Sequence, residues 1–426
     1  MTLIEEAKKG IKNELIEKVS EYEGVEADKI VRLVAKGHVI IPKNVLREVE
    51  PRAIGTLVST KVNANVGTSQ EYVNVEDEVE KAIVAQKFGA DAVMDLSTGG
   101  DLREIRRRIM EVVKVPFGTV PVYEAARDCR RIVDMSEDDF IAVVEAQAKE
   151  GVDFMTIHAG VNWITVERLK RSNRLLGVVS RGGAITIGWM LHNEMENPYY
   201  ENFDYLLDIL KEYDVTISLG DAFRPGCIHD AGDRAKYTEF IILGELVEKC
   251  RAKGVQCMVE GPGHVPLDGI FPAVKAMKSV TDNAPLYLLG PLVTDIAAGY
   301  DHISSAIGAA IAGMAGADFI CYVTPSEHLG LPTAEDVKEG VIAAKIAAHA
   351  VDLIKEGQRE RAMAKDYEMS LARRNFDWEK QFALSPDPER ARKIWERRRA
   401  KGEYCSMCGD LCAIKLVEKY VQKKDV

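Results

Sequence analysis

Nine short apolar, β-branched runs alternate with segments of helical period from about residue 57 to 350. They read KVNANVG, AVMDLS, FGTVPVY, FMTIHAG, LGVVSRGG, VTISLGD, CMVEGPG, LYLLGPL and FICYVTP. Strands that recur with a helix between them run parallel, because each helix carries the chain back to the edge where the next strand starts. A closed (β/α)8 TIM-type barrel takes eight such strands, so one of the nine runs is expected to be an extra strand or a loop. The competing architecture, a doubly wound open sheet, carries a glycine-rich phosphate turn after its first strand. The segment VNANVGTS lacks that GxGxxG spacing.

In such a barrel the C-terminal strand ends form the mouth where chemistry is assembled. The runs end in polar or glycine-rich tails that carry Asn65, Met94 with Asp95, Tyr123, His158, Ser180, Asp221 with Arg224, Glu260 and Tyr287. Taken one at a time these residues have ordinary explanations. A single His after a strand, such as His158 or His302, is commonly a hydrogen-bonded structural residue. Met94 would be core, Tyr123 and Tyr287 rim aromatics, and the glycines at 182, 261 and 263 tight turns.

The flanks read differently. Residues 1–56 are mainly helical, 57–350 are the barrel, 351–404 form charged helix broken at SPDPER, and 405–426 carry three cysteines. A formal net charge of -11 makes nucleic acid a poor partner for the surface. No apolar run approaches the roughly 20 residues of a membrane helix, so a cytoplasmic protein that does not bind membranes is expected. Cys129, Cys227, Cys250, Cys257 and Cys321 are scattered as reduced thiols would be.

The segment YCSMCGDLCAIKL places Cys405, Cys408 and Cys412 as Cys-x2-Cys-x3-Cys. A structural zinc site usually takes four ligands, and no His or Cys follows Cys412. Three thiolates suit a 4Fe-4S cluster whose fourth iron stays open to a substrate, such as the amino and carboxylate groups of S-adenosyl-L-methionine. The spacing alone leaves both readings open.

The segments MDLSTGGDL, TIHAGV, SRGG, EGPGHVP, LGPLVTDIA, GYDHI and CYVTPSEHLGLP, with the C-terminal cysteines, resemble the ThiC family from about residue 60 onward. That resemblance implies a (β/α)8 barrel with a cluster-bearing helical tail, a homodimer with exchanged tails, and a radical S-adenosylmethionine lyase acting on 5-aminoimidazole ribotide. It implies an electron donor such as flavodoxin or ferredoxin. The positions matching the family's ribotide pocket are Asn65, Met94, Tyr123, His158, Ser180, Arg181, Gly182, Asp221, Arg224, Glu260 and Tyr287, with Glu260, Tyr287 and Asp221 assigned to catalysis. Arg224 and the Ser180–Gly183 turn suit a phosphate. The histidines matching the family's second metal site, for zinc or another divalent ion, are His264 and His328.

Two products are known in the family, a phosphorylated pyrimidine for thiamine and 5-hydroxybenzimidazole for cobamides. This chain departs from the pyrimidine-forming pattern at PVYEA, DAFRPG and TDIAAGYDH, which place Glu124, Ala222, Phe223 and Ala298 beside presumed substrate residues. Those departures favour the benzimidazole-forming branch as the expectation, with phosphomethylpyrimidine synthase as the alternative. A structural-zinc barrel and a ribotide-binding protein without activity are the readings outside catalysis.

Overall fold

The computed structural model describes residues 1–399 and 404–420. Two compact units divide the chain, Met1–Gln358 and Arg359–Val426.

The first unit contains eight parallel strands: β1 (Lys61–Val66), β2 (Ala92–Asp95), β3 (Phe117–Thr119), β4 (Phe154–Ile157), β5 (Thr216–Leu219), β6 (Cys257–Gly261), β7 (Leu286–Leu289) and β8 (Phe319–Cys321). Each pairs with the next, and β8 pairs with β1 through Phe319 opposite Lys61, so the sheet closes on itself. Most strands are buried along their whole length because helices cover the outside and side chains fill the inside. Phe154, Phe319 and Tyr287 meet edge-on or tilted within that interior.

The ninth run, LGVVSRGG, is not a strand. Its valines form a loop wall, with Val179 packed so closely on Gly226 that a Cβ there would lie 2.2 Å from the valine side chain. Ser180 then becomes the N-cap of the helix Arg181–Asn193, its hydroxyl accepting a hydrogen bond from the Gly183 N–H.

Every second strand begins with the same short phrase: Gly89-Ala90-Asp91, Gly151-Val152-Asp153, Gly254-Val255-Gln256 and Gly316-Ala317-Asp318. The glycines hold positive φ, +99°, +97°, +84° and +123°, where the preceding helix ends. The three aspartates turn back and accept backbone N–H groups of the neighbouring odd strand: Asp91 from Val62, Asp153 from Phe117 and Asp318 from Leu286. Cations complete this floor, with Lys345 on Asp91, Arg47 on Asp153 and Lys278 on Asp318.

Three helices, Leu3–Lys8, Glu14–Glu23 and Ala27–Lys36, form a separate small core with Val39, Ile41 and Val58. This N-terminal segment meets the floor: Gln256 accepts the Ile41 N–H at 2.8 Å, and Glu23 pairs with buried Lys61 at 2.8 Å.

The second unit is helical, with Arg359–Arg374, Trp378–Leu384, Pro388–Glu396 and Ala413–Tyr420. Trp378, Phe382 and Trp395 form its aromatic cluster. Among the described residues no helix is long and apolar enough to cross a membrane.

Candidate active site

A cavity of about 260 Å³ opens at the C-terminal strand ends. Asn65, Met94, Tyr123, His158, Ser180, Arg181, Arg224, Glu260 and Tyr287 all line it. Strand periodicity explains the arrangement: the inward side chain at the end of each strand points into the mouth.

Glu260, on β6, accepts hydrogen bonds from Thr156 Oγ1 at 2.7 Å and Ser218 Oγ at 2.9 Å, so three adjacent strands converge on one carboxyl. Burial pushes its pKa above the ordinary carboxylate value, against the opposing pull of those hydroxyls and Arg224. Tyr287 accepts from Asn63 Nδ2 at 2.7 Å; Asn63 also donates to Asn65, which donates to the Cys321 thiol at 3.0 Å. Burial raises the pKa of Tyr287 and lifts that of Cys321 to about 12, so both stay protonated near neutrality.

His158 is held in a slot. A Cβ on Gly182 would lie 2.2 Å from its ring, and one on Gly220 would lie 2.9 Å away, so only glycines let the helix and the β5 turn close on both faces. Its Nε2 lies 3.0 Å from Ser180 Oγ, and its buried Nδ1 has no partner. Burial, then the nearby Arg224 charge, lowers its pKa to about 3, leaving a neutral imidazole. Arg181 stacks its guanidinium 5.1 Å from the Tyr123 ring centre.

The Nε of Arg224 is buried without a hydrogen-bond partner. Burial would lower its pKa, but Asp221 and Glu260 outweigh that and hold the cation. Two predicted residues do not line the cavity. Gly182 acts through its lack of a side chain, and Asp221 turns one carboxylate oxygen toward Lys236, away from the lining.

His264 and His328 approach to 5.2 Å between ring centres although they follow β6 and β8. Nδ1 of His264 lies 2.8 Å from Asp295 and Nδ1 of His328 lies 3.2 Å from Asp301. Carboxylates on Nδ1 fix ring orientation and leave each Nε2 for a ligand, the arrangement typical behind metal-bound imidazoles. Among the described residues, no three His, Cys, Asp or Glu side chains gather as a group that could hold a metal ion. The pair supplies two imidazoles, one fewer than the three protein ligands of a usual open zinc site, so an ion held there would take its other ligands from water or substrate.

In the second unit, the Cys405 carbonyl accepts from the Gly409 N–H at 3.4 Å and the Cys408 carbonyl from Leu411 at 3.0 Å. Cys412 precedes the helix Ala413–Tyr420 and caps it through the Leu416 N–H. All three thiols are free. Three soft thiolates on one tight turn suit an iron–sulfur cluster, in which each binds a different iron and need not share one ion.

Sequence reading passed over Thr156, Cys321 and Glu327, which also line the cavity, and the aspartates that orient the histidines. The motif TDIAAGYDH held that second signal, since Asp295 and Asp301 lie six residues apart in it.

Fold and mouth together define an enzyme of the (β/α)8 barrel class, with its working groups gathered from strand ends and loops. The chain belongs to the radical SAM ThiC family, whose sequence pattern matches residues 2–419. It is thus a radical S-adenosylmethionine enzyme, a class that uses an iron–sulfur cluster. It is 78% identical to a phosphomethylpyrimidine synthase of Archaeoglobus fulgidus over 99% of this chain and 100% of that one. Against phosphomethylpyrimidine synthase 2 of Methanosarcina barkeri it is 58% identical over 100% and 99% of the two chains. Among solved structures, a dihydropteroate synthase of Xanthomonas albilineans is similar at a TM-score of 0.42 and 11% identity, covering 72% of this chain and 97% of that one.

These relatives bear the name of the alternative reading, phosphomethylpyrimidine synthase, and none of the departures that favoured a benzimidazole product lines the cavity. Glu124 is buried behind Tyr123, paired with Arg106 at 2.9 Å and Arg103 at 2.7 Å, and its carboxylate does not reach the cavity. Ala222 and Phe223 are fully buried off the lining. Ala298 is exposed on its loop. Adjacent residues of a helix or turn point in different directions, so neighbours in sequence of a cavity residue need not face the cavity.

Proposed function

We propose that this chain is a phosphomethylpyrimidine synthase, converting 5-aminoimidazole ribotide to 4-amino-5-hydroxymethyl-2-methylpyrimidine phosphate in thiamine biosynthesis. The observation that carries this reading is that Glu124, Ala222, Phe223 and Ala298 all lie off the cavity lining, in a chain whose relatives bear that name.

The phosphate would rest between Arg224 and the first turn of the helix Arg181–Asn193. Ser180 already occupies the Gly183 and Ala184 N–H groups, so those of Arg181 and Gly182 remain for an anion at the positive end of the helix. Glu260, kept from ionising freely by burial, would face the ribose hydroxyls or the ring amine. The neutral His158 offers its unpartnered Nδ1, and the Asn63–Tyr287 pair offers a protonated phenol. With the cluster and S-adenosylmethionine bound, the chemistry supplied is reductive cleavage of the sulfonium to a 5'-deoxyadenosyl radical.

Cys405, Cys408 and Cys412 would hold the 4Fe-4S cluster. His264 and His328 would hold zinc or another divalent ion, with Asp295 and Asp301 behind them. A flavodoxin or ferredoxin would supply the electron. A homodimer with exchanged tails would bring one subunit's cluster to the other's barrel.

Anaerobic turnover of the reconstituted protein with ribotide and S-adenosylmethionine tests the reading. A phosphorylated hydroxymethylpyrimidine is expected; a benzimidazole with free phosphate would overturn it.

A further inference from the structure

Behind the β5 turn lies a buried charge cluster off the cavity lining, joined to it where the Asp221 N–H donates to Glu260 Oε2 at 3.3 Å. Lys236, in the first turn of the helix Arg234–Lys253, is 2% exposed. Its ammonium donates to Asp221 Oδ1 and, at 2.7 Å, to Glu239 Oε2. Glu239 in turn accepts the Ala222 N–H at 2.7 Å and the Phe223 N–H at 3.3 Å. One helix thus grips both the backbone and a side chain of the segment Asp221–Arg224.

The charges do not balance locally. Asp221 and Glu239 carry two negative charges when ionised and Lys236 one positive, and the next cation is Arg224, for which Asp221 is the strongest attracting charge. Burial pushes the Glu239 carboxyl up despite the pull of Lys236, as expected of a carboxylate short of positive charge. Arg224 is thereby held at the cavity by the field of the cluster while its Nε stays free of hydrogen bonds. Asp221 likewise keeps its buried Oδ2 without a partner. A direct ion pair would have consumed that donor and that acceptor.

We infer that Lys236 and Glu239 are positioning residues for the ribotide phosphate: together they fix the Asp221–Arg224 turn so that Arg224 enters the cavity with donors to spare. This inference rests on the reading of the cavity as the ribotide site.

The test uses the full-length protein with its cluster reconstituted, and compares Glu239→Gln, Glu239→Asp and Arg224→Ala. Glu239→Gln keeps the shape and an acceptor oxygen but removes the charge. Glu239→Asp keeps the charge but draws it back from the turn. Each is expected to raise the ribotide Kd about tenfold while S-adenosylmethionine binding is unchanged. KM for ribotide should rise with kcat nearly constant, whereas a merely structural defect would lower the active fraction, and so kcat, at constant KM. If either Glu239 variant fails to fold, the other carries the comparison. Wild-type ribotide affinity in a folded Glu239 variant, with Arg224→Ala weakened, overturns the positioning role and leaves the cavity reading standing. Wild-type affinity in all of them overturns both.

Discussion

The aspartates on the floor of this barrel and the working groups at its mouth treat their polar atoms in opposite ways. On the floor, Asp153 uses one oxygen for the Asn44 N–H and the other for Phe117 N–H and Arg47. At the mouth, Arg224 and His158 each keep a buried polar atom without a hydrogen-bond partner. An unsatisfied buried polar group costs about 1–3 kcal/mol, so the mouth is unfavourable in the free protein and becomes less so when a ligand supplies the missing partners. The floor holds the barrel closed and the mouth waits for a substrate.

The largest expected effect touches neither end. Replacing Cys405, Cys408 or Cys412 singly with Ser should abolish deoxyadenosine formation while leaving the unfolding of the barrel where it was; full activity in any one variant would remove that thiol from the proposed cluster. Breaking the floor comes next. Asp153→Ala takes the ion-pair partner from the half-buried Arg47 and strands two backbone N–H groups, and should cost about 3–5 kcal/mol in denaturant unfolding with ribotide affinity of the folded fraction unchanged. A loss confined to ribotide binding would contradict the division between the two ends.

At the mouth the signs reverse. Arg224→Ala should weaken ribotide binding about ten- to a hundredfold, equivalent to roughly 1.5–3 kcal/mol, without lowering the unfolding midpoint. Calorimetry and thermal melting of one sample decide this. The smallest effect is a slope. His158 has a pKa of about 3 when folded against 6.5 for a free imidazole, so between those values the unfolded chain binds a proton that the folded chain does not. Stability should therefore fall as pH drops through that window, by up to about 1.4 kcal/mol per pH unit from this group. His158→Gln should show a shallower acid limb, and an unchanged limb would mean that the imidazole charges in the folded protein.

Much of the barrel was legible because strands covered on both faces leave continuous apolar runs, such as FMTI and TISL, at regular intervals. LGVVSRGG imitates one, since β-branched residues packed as a loop wall look no different in sequence from a strand. The repeated Gly-x-Asp, with Gly-x-Gln as its one variant, is present throughout but too short to stand out. Its four members are three residues long and far apart, and only the pairing of even with odd strands shows what they share. For the site, most lining residues were legible as strand-end polar groups within family motifs. Lys236 and Glu239 were not, because they sit on the outer helix and act across the turn. The residues taken as bearing on the product, Glu124 and Phe223, follow Tyr123 and precede Arg224 in sequence but lie off the cavity lining, since adjacent residues point in different directions.

Gln256, the one member of the repeat without a charge, faces the N-terminal segment instead of the neighbouring strand. It binds both the N–H and the carbonyl of Ile41. That contact spans 215 residues, and Thr2 reaches Gly254 across 252. During synthesis the segment leaves the ribosome long before its seat under the sixth strand exists. Its own small core of Ile16, Val19, Ile30 and Val34 gives it something to hold while it waits. The contacts that seat the segment on the floor can therefore form only once residue 256 has been made.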